Sequence, residues 1–471
     1  MDWTVADILT ATDGRLLDGA PESRVESVGT DSRTIASTAL FVPLRGDRYD
    51  AHDFLFDVVA KGVRAVLVAA DTDVALPHDD WKAKGVSCVA VDDTTRALGA
   101  LARFRRRQMA IPVVAITGSN GKTTTRQMCV SVMATRFKTL ATEGNLNNEI
   151  GLPLTLLGLD RSHQAAVVEL GINHFGEMDR LGAICEPTIG MITNVGPAHL
   201  AFLGDLQGVR RAKGELLAHV KPQGTVVLNQ DDQHVAALAE KSPCPVLFFG
   251  TSSRAQVRAE AIAETHTGIG FDLVLPDGRA RVRLNTPGRF MVPNALGAAA
   301  VGYLSGIDTA DIVRGLESFQ PVSGRLRVVQ TDRGVRIIDD TYNANPQSMI
   351  AAIATFAALR KSDRGFIVLG DMLELGDQAE TLHQEVGRIA AQAGADRIYG
   401  YGDYTGALMA GARTAGMKDK NLMAGTKEEI ASDLIGRLQP QDWVLVKGSR
   451  GMAMEAVVKA VVQWAQPSAD G

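Results

Sequence analysis

Val113-Val-Ala-Ile-Thr117 runs straight into Gly118-Ser119-Asn120-Gly121-Lys122-Thr123-Thr124-Thr125, and that junction decides the fold. The apolar, β-branched run predicts a short buried strand, and a helix is expected over Thr123–Thr135. Between them the glycines let backbone N–H groups turn toward an anion, while the helix N-terminus adds partial positive charge. Lys122 has the reach for β- and γ-phosphates, and the Thr123 hydroxyl suits Mg²⁺. The common form of such a loop has glycine five positions before its Gly-Lys pair, where this chain has Ile116. The loop is therefore shortened, with its first glycine at 118, which points away from ordinary GTPases and motor ATPases.

Outward from this junction, apolar strand runs alternate with helical stretches. Strands are expected at Ala165–Leu170, Thr188–Val195, Thr225–Leu228 and Val246–Phe249. Helices are expected at Glu149–Leu157, Leu206–His219 and Gln233–Lys241. Such alternation implies parallel pairing in a doubly wound sheet. From Ala255 to Leu284 the pattern becomes two-residue alternation around a Pro276-Asp277-Gly278 turn, read as a short antiparallel insert, and a helix follows at Asn294–Leu304. A smaller α/β unit precedes, with strands at Ala39–Leu44, Arg64–Ala69 and Ser87–Val91 and helices at Asp53–Lys61 and Thr94–Met109. Another βα series follows, with strands at Val335–Asp339, Gly365–Leu369, Arg397–Tyr401 and Trp443–Lys447 and helices at Gln347–Leu359, Glu380–Ala393 and Glu428–Leu438, a second Rossmann-like sheet. The 471 residues thus read as three α/β domains, 1–92, 93–322 and 323–471, with a disordered tail after Gln466.

A formal net charge of −5 argues against a general nucleic-acid binder. The one dense basic patch, Arg103, Arg105, Arg106 and Arg107, reads as the solvated face of a helix. Cys88, Cys129, Cys185 and Cys244 lack metal or redox spacing, and three of them sit in apolar core contexts, as in a reducing cytosol. Met1–Thr10 has neither a basic start nor an apolar run, and no stretch reaches the ~18 apolar residues a membrane span needs. The expectation is a cytoplasmic, monomeric protein with no membrane partner.

Two further side chains fall at expected strand ends, where ligands of open α/β sheets bind. Glu169 closes Ala165-Ala-Val-Val-Glu169 and is placed to hold a cation. His199 follows Thr193-Asn194-Val195-Gly196-Pro197-Ala198; a lone histidine is more often structural, and its sheet-edge position favours the site. Lys213, in Arg211-Ala-Lys213-Gly-Glu215, is by spacing alone an ordinary helical lysine.

Taken together, Thr117–Thr125, Glu143-Gly-Asn145-Leu-Asn-Asn-Glu149, Glu169-Leu-Gly171, Asn194–His199, Lys213-Gly-Glu215, Pro293-Asn294-Ala295, Ser323-Gly-Arg325 and Asp339–Asn345 resemble the Mur ligases, in the same order and over essentially the whole chain. Folylpolyglutamate synthases share the fold and the loop. Asp340–Met349 and Leu369-Gly-Asp-Met-Leu-Glu-Leu-Gly376 are most similar to the branch that adds D-alanyl-D-alanine to a UDP-linked muramoyl tripeptide. A sibling ligase adding another amino acid would carry the same ATP site.

The resemblance implies a UDP-sugar domain, a central ATP domain and a C-terminal domain for the incoming dipeptide. It implies UDP-N-acetylmuramoyl-tripeptide, D-alanyl-D-alanine and ATP as substrates, with Mg²⁺ required. Catalysis would rest on Lys122, Lys213, His199 and Arg325. Thr123, Glu169, His199 and a CO₂-carbamylated Lys213 would hold the metal. Gly118, Ser119, Asn120, Gly121, Lys122, Thr123, Thr124 and Asn145 would cradle the nucleotide, with Asn294 near adenine, Asp340 at the ribose and Arg325 at the γ-phosphate. Ser32, Arg33, Gly46 and His52 would contact the UDP-sugar. Asn343, Asn345, Lys447, Ser449 and Arg450 would face the other substrates.

Overall fold

Three sheets, each built around fully buried apolar strands, organise the computed structural model, which describes residues 3–46, 48–265 and 268–466. The first region contains β1 (Trp3–Thr4), β2 (Arg15–Asp18), β3 (Arg24–Val25), β4 (Ser27–Gly29), β5 (Ala39–Phe41), β6 (Ala65–Ala69) and β7 (Ser87–Val91). Their sheet order is β2-β7-β6-β5-β4, with β1 and β3 paired separately. β6 and β7 are apolar at nearly every position and pair in parallel, so helices cover both their faces.

The central region contains β8 (Val113–Thr117), β9 (Thr139–Ala141), β10 (Ala165–Glu169), β11 (Ile189–Ile192), β12 (Thr225–Asn229), β13 (Val246–Gly250), β14 (Val257–Glu264), β15 (Ile269–Leu275) and β16 (Gly278–Leu284). They form one sheet in the order β16-β15-β14-β13-β12-β11-β8-β10-β9. β8 lies between β10 and β11, and the chain winds away from it on both sides, so its carboxyl end opens at the switch point where α/β sheets bind ligands. The expected antiparallel insert is present, but β14 joins β13 in parallel and carries the hairpins onto the main sheet as its extension.

The last region contains β17 (Arg327–Gln330), β18 (Arg336–Asp340), β19 (Gly365–Gly370), β20 (Arg397–Tyr401), β21 (Leu422–Ala424) and β22 (Trp443–Lys447), ordered β17-β18-β22-β19-β20-β21. Inserting β22 between β18 and β19 puts the Lys447 end beside Asp340. Several short elements escaped the sequence reading, among them β9, β21 and the helices Glu177–Cys185, Thr309–Glu317 and Thr405–Thr414. All are ten residues or fewer, shorter than the span over which a period is read.

The Arg103–Arg107 patch corrects the expectation of a solvated face. Arg106 is only 1% exposed and donates to the carbonyls of Cys185 at 3.0 Å and Met109 at 2.8 Å. Arg105 donates to the carbonyl of Leu159 at 2.8 Å, and Arg103 and Arg107 both grip Glu186. Cys88, Cys129 and Cys185 are buried, as expected, and all four thiols are free. Among the described residues no helix is long and apolar enough to cross a membrane. The tail after Gln466 lies outside the described residues.

Candidate functional site

The loop leaving β8 is shaped by two glycines where any side chain would be strained. Gly118 has φ +151°, and a Cβ there would stand 1.9 Å from Thr193 Oγ1; Gly121 has φ +79°, and its Cβ would stand 2.5 Å from Asn294 Oδ1. Gly121 caps the helix Lys122–Met133, which starts one residue earlier than expected, so Lys122 occupies the first helical position. The end of β11 braces the loop from below. Asn194 Oδ1 accepts the Asn120 N–H at 2.8 Å, and the Asn120 carbonyl accepts from Thr193 Oγ1 at 2.7 Å and Asn194 Nδ2 at 3.0 Å. Lys122 Nζ folds back onto the Gly118 carbonyl at 2.8 Å.

The loop floors a cleft of about 660 Å³ between the central and C-terminal regions. Ser119, Asn120, Gly121, Lys122, Thr123, Thr124, Asn145, Glu169, His199, Asn294, Arg325 and Asp340 line it, so strand ends far apart in sequence do converge. Glu169 ends β10 and is 2% exposed, accepting from Thr123 Oγ1 at 2.9 Å and from Asn147 Nδ2 at 2.8 Å. Two hard oxygen donors side by side next to a phosphate loop fit a divalent cation. Among the described residues, however, no group of three or more His, Cys, Asp and Glu side chains forms a ready cage.

Positive charge dominates around Glu169. Burial lowers the pKa of Lys122, with Arg325 adding to the fall and Glu169 opposing it. Arg126, whose Nε lies 3.8 Å from Glu169, is lowered by burial too. Lys213 does not line the cleft; it sits behind its wall, 1% exposed. Burial and then the nearby Lys122 ammonium push its pKa well below the ordinary lysine value. Cations crowded this way, with too few anions among them, are poised for an anionic ligand.

The opposite wall comes from the C-terminal region. Arg325 stacks on Tyr342, its guanidinium carbon 4.0 Å from the ring centre. Asp340 lines the cleft, yet its Oδ2 holds Lys447 Nζ at 2.5 Å and its Oδ1 accepts the Leu326 N–H at 3.1 Å. Lys447 also donates to the Asn343 carbonyl at 2.9 Å and, at 2% exposed, braces the wall. Ser449 lies outside the cleft lining and joins Leu373 to this wall, while Arg450 and Asn343 stand at the rim. His199 and Glu374 meet across the cleft, Nδ1 to Oε2 at 2.5 Å, both in left-handed backbone with φ 56° and 63°.

The N-terminal candidates are not gathered into this cleft. Arg33 is exposed and paired with Asp31 at 2.7 Å, the Ser32 carbonyl accepts from Lys61, and the Gly46 N–H donates to Tyr49. His52 requires a correction. It is 1% exposed, its Nδ1 donates to Asp50 at 2.5 Å, and its Nε2 accepts the Ala69 N–H at 3.0 Å. Both ring nitrogens are used in fastening the 50–54 turn to β6, so neither is free to receive a substrate in this structure. Sequence reasoning missed Asn147, Arg126, Glu374 and Gln347. Asn147, Glu374 and Gln347 lie inside motifs already singled out, but which motif member turns inward depends on tertiary packing.

A phosphate loop on a doubly wound sheet, faced by a third region that brings an arginine against it, defines a nucleotide-using α/β enzyme working between domains. Three family models cover the chain: "Mur ligase family, catalytic domain" at 24–106, "Mur ligase middle domain" at 116–302 and "Mur ligase, glutamate ligase domain" at 324–450. The chain belongs to the Mur ligase family. It is 33% identical over 461 residues to the UDP-N-acetylmuramoyl-tripeptide--D-alanyl-D-alanine ligase of Bacillus subtilis (strain 168), covering 98% of each chain. A crystal structure of MurF from Acinetobacter baumannii superposes with TM-score 0.89 at 35% identity, covering 98% of this chain and 99% of that one. MurF ligase from Thermotoga maritima, solved in complex with ADP, superposes with TM-score 0.81 at 27% identity over 94% and 98% of the two chains.

Proposed function

We propose that the chain joins D-alanyl-D-alanine to the tripeptide carboxylate of UDP-N-acetylmuramoyl-tripeptide at the expense of ATP, in peptidoglycan precursor synthesis. The near full-length likeness to ligases of that name supports this reading, and the ADP complex of one neighbour supports the nucleotide. The observation that carries the mechanism is the surplus of cations around Lys122, completed by Arg325 from the opposite wall.

The substrate carboxylate is a poor electrophile. Its oxygen attacks the γ-phosphorus of ATP, the bond to the β-phosphate oxygen breaks, and an acyl phosphate and ADP form. That transfer needs charge neutralisation more than proton transfer, and Lys122 and Arg325 supply it. The dipeptide amine, as the free base, then attacks the acyl carbon and inorganic phosphate leaves. Acyl phosphates hydrolyse in water, so the C-terminal wall protects the intermediate by covering the loop.

Magnesium, when bound, adds charge neutralisation at the phosphates. Thr123 and Glu169 would hold it, with His199 and Lys213 completing the set. The Lys213 amine is buried beside another cation and so favours its neutral form. It attacks CO₂, a C–N bond forms, one proton leaves, and a carboxylate-like carbamate replaces a cation. In this reading 1–92 binds the UDP-sugar, 93–322 the nucleotide and 323–471 the dipeptide, with Asn343 and Arg450 at the rim facing it. The protein acts as a monomer in the cytoplasm, where ATP is supplied and its thiols stay reduced.

Phosphate release measured with a UDP-muramoyl tripeptide, with and without D-alanyl-D-alanine, tests the reading. Release that requires both is expected. Release indifferent to the dipeptide, or supported better by a single amino acid, overturns it in favour of a nucleotide switch or a sibling ligase.

A further inference from the structure

Asn120 lies in the phosphate loop, where a nucleotide contact is the ordinary expectation, but its side chain is turned away to the C-terminal region. Asn120 Oδ1 accepts from Asn345 Nδ2 at 2.7 Å, and Asn120 Nδ2 donates to Gln347 Oε1 at 3.2 Å. The amide orientations follow from a helix cap. Asn345 begins the helix Pro346–Arg360, and its Oδ1 accepts the Ser348 N–H at 3.0 Å. Only its Nδ2 is left to face Asn120, which leaves the Asn120 nitrogen for Gln347. The Gln347 amide rests on bare backbone at Gly196, where a Cβ would stand 1.9 Å from Oε1. Gly196 is itself tied to the loop, its N–H donating to Ser119 Oγ at 2.9 Å.

We propose that Asn120 is a positioning residue that clasps the C-terminal domain onto the phosphate loop, so that the loop itself registers closure. The division of labour within this one residue supports the idea. Its backbone is fixed by Thr193 and Asn194 of the central domain, and its side chain is given wholly to Asn345 and Gln347 of the C-terminal domain. The loop therefore keeps its nucleotide-binding shape when the domain moves off, and only the clasp opens. The movement that seats Asn345 on Asn120 also carries Arg325 and Tyr342 to the cleft, because all three lie on the same domain. The clasp thus links arrival of the γ-phosphate arginine to the loop that holds the phosphates. The kinetic consequence rests on the ligase reading above; the closure itself does not.

Asn120→Ala is the decisive variant, with Gln347→Ala approaching from the other side and Gly196→Ala displacing the Gln347 amide without touching Asn120. A non-hydrolysable ATP analogue should bind Asn120→Ala within about two-fold of the unmodified chain, since the backbone brace is intact. Small-angle scattering should show that the analogue compacts the unmodified chain more than any of these variants. Two neutral hydrogen bonds of ordinary net worth correspond to roughly thirty-fold in the closure equilibrium, so kcat should fall by about that factor with the ATP KM nearly unchanged. The double variant Asn120→Ala with Gln347→Ala should be no more than about two-fold worse than Asn120→Ala alone, because both remove one clasp. Full compaction and full kcat in Asn120→Ala overturn the proposal. So does a loss of analogue affinity that matches the loss of kcat, which would make Asn120 a nucleotide ligand. If the unmodified chain compacts with the analogue, and Asn120→Ala does not, while no acceptor supports phosphate release, the clasp stands and the ligase reading fails.

Discussion

Two clusters of positive charge are used in opposite ways. Arg103, Arg105, Arg106 and Arg107 are neighbours on one helix, and every one of them has an oxygen partner: Glu186 for two, backbone carbonyls for the others. Lys122 and Arg126 on one helix, Lys213 on another and Arg325 from the C-terminal region come together with few anions among them: Glu169 acts on Lys122 and Arg126, while Lys213 faces the Lys122 ammonium. Burial lowers the pKa of Arg106 just as it lowers that of Lys122. Burial alone therefore does not separate them, and neither does a carbonyl acceptor, since Lys122 donates to the carbonyl of Gly118 and Arg126 to that of Thr142; the balance of charge does. Arginines that share a fixed carboxylate are part of the scaffold, and cations held among other cations await an anion from outside.

The largest effects should come from the cluster with too few anions. Lys122→Ala should cut phosphate release by about a thousand-fold, as loss of a charge aimed at a transferring phosphoryl group does. Calorimetry should show UDP-substrate binding largely intact. If that affinity collapses too, the assignment of the UDP-sugar to the N-terminal domain is wrong. Lys213→Ala should follow at roughly a hundred-fold, with partial recovery on adding short carboxylic acids or bicarbonate. Full activity in that variant would remove the carbamate from the mechanism.

The arginine cluster should answer in stability and not in turnover. Arg106→Ala leaves the carbonyls of Cys185 and Met109 without their donor inside the protein. The expected cost is about 3 kcal/mol of unfolding free energy, seen as a lower urea midpoint. Binding of an ATP analogue below that midpoint should be unchanged. A variant that lost nucleotide affinity while keeping its stability would erase the distinction between the clusters.

The same contrast explains what could be read from the sequence. The junction at Val113–Lys122 was legible because strand, glycines and helix are contiguous and each has a local signature. Glu169 was legible because an apolar run ends on it. The arginine patch was visible but misread, since its partners, Glu186 and the Leu159 carbonyl, come from distant loops. Lys122, Lys213 and Arg325 lie far apart along the chain and come together only through the tertiary fold, which no local pattern encodes. The structural use of His52 was hidden for a related reason: the Ala69 N–H that occupies its ring belongs to a strand outside its motif. The His199–Glu374 and Asn120–Asn345 contacts join separate domains, and nothing in either stretch names the other.

The smallest effect sharpens the comparison from within the arginine cluster. Arg107 is 57% exposed and shares Glu186 with Arg103, so Arg107→Ala leaves that carboxylate still paired. An exposed ion pair of this kind is worth at most about 1 kcal/mol. Desolvation tends to raise the Glu186 carboxyl, but hydrogen bonds and charge from Arg107 and then Arg103 outweigh it and hold the carboxyl below the usual glutamate value. A carboxylate whose pKa is lower in the folded than in the unfolded chain contributes stability that is present above the unfolded value and is lost as pH falls through the folded one. The difference in unfolding free energy between Arg107→Ala and the unmodified chain should therefore be constant at neutral pH and shrink as the solution is acidified through the carboxylate range. It should shrink as well at about 1 M salt, where screening acts over roughly 3 Å. A loss as large as that of Arg106→Ala, indifferent to acid and salt, would show that the exposed pair carries the scaffold and that buried carbonyl partners do not set the ranking.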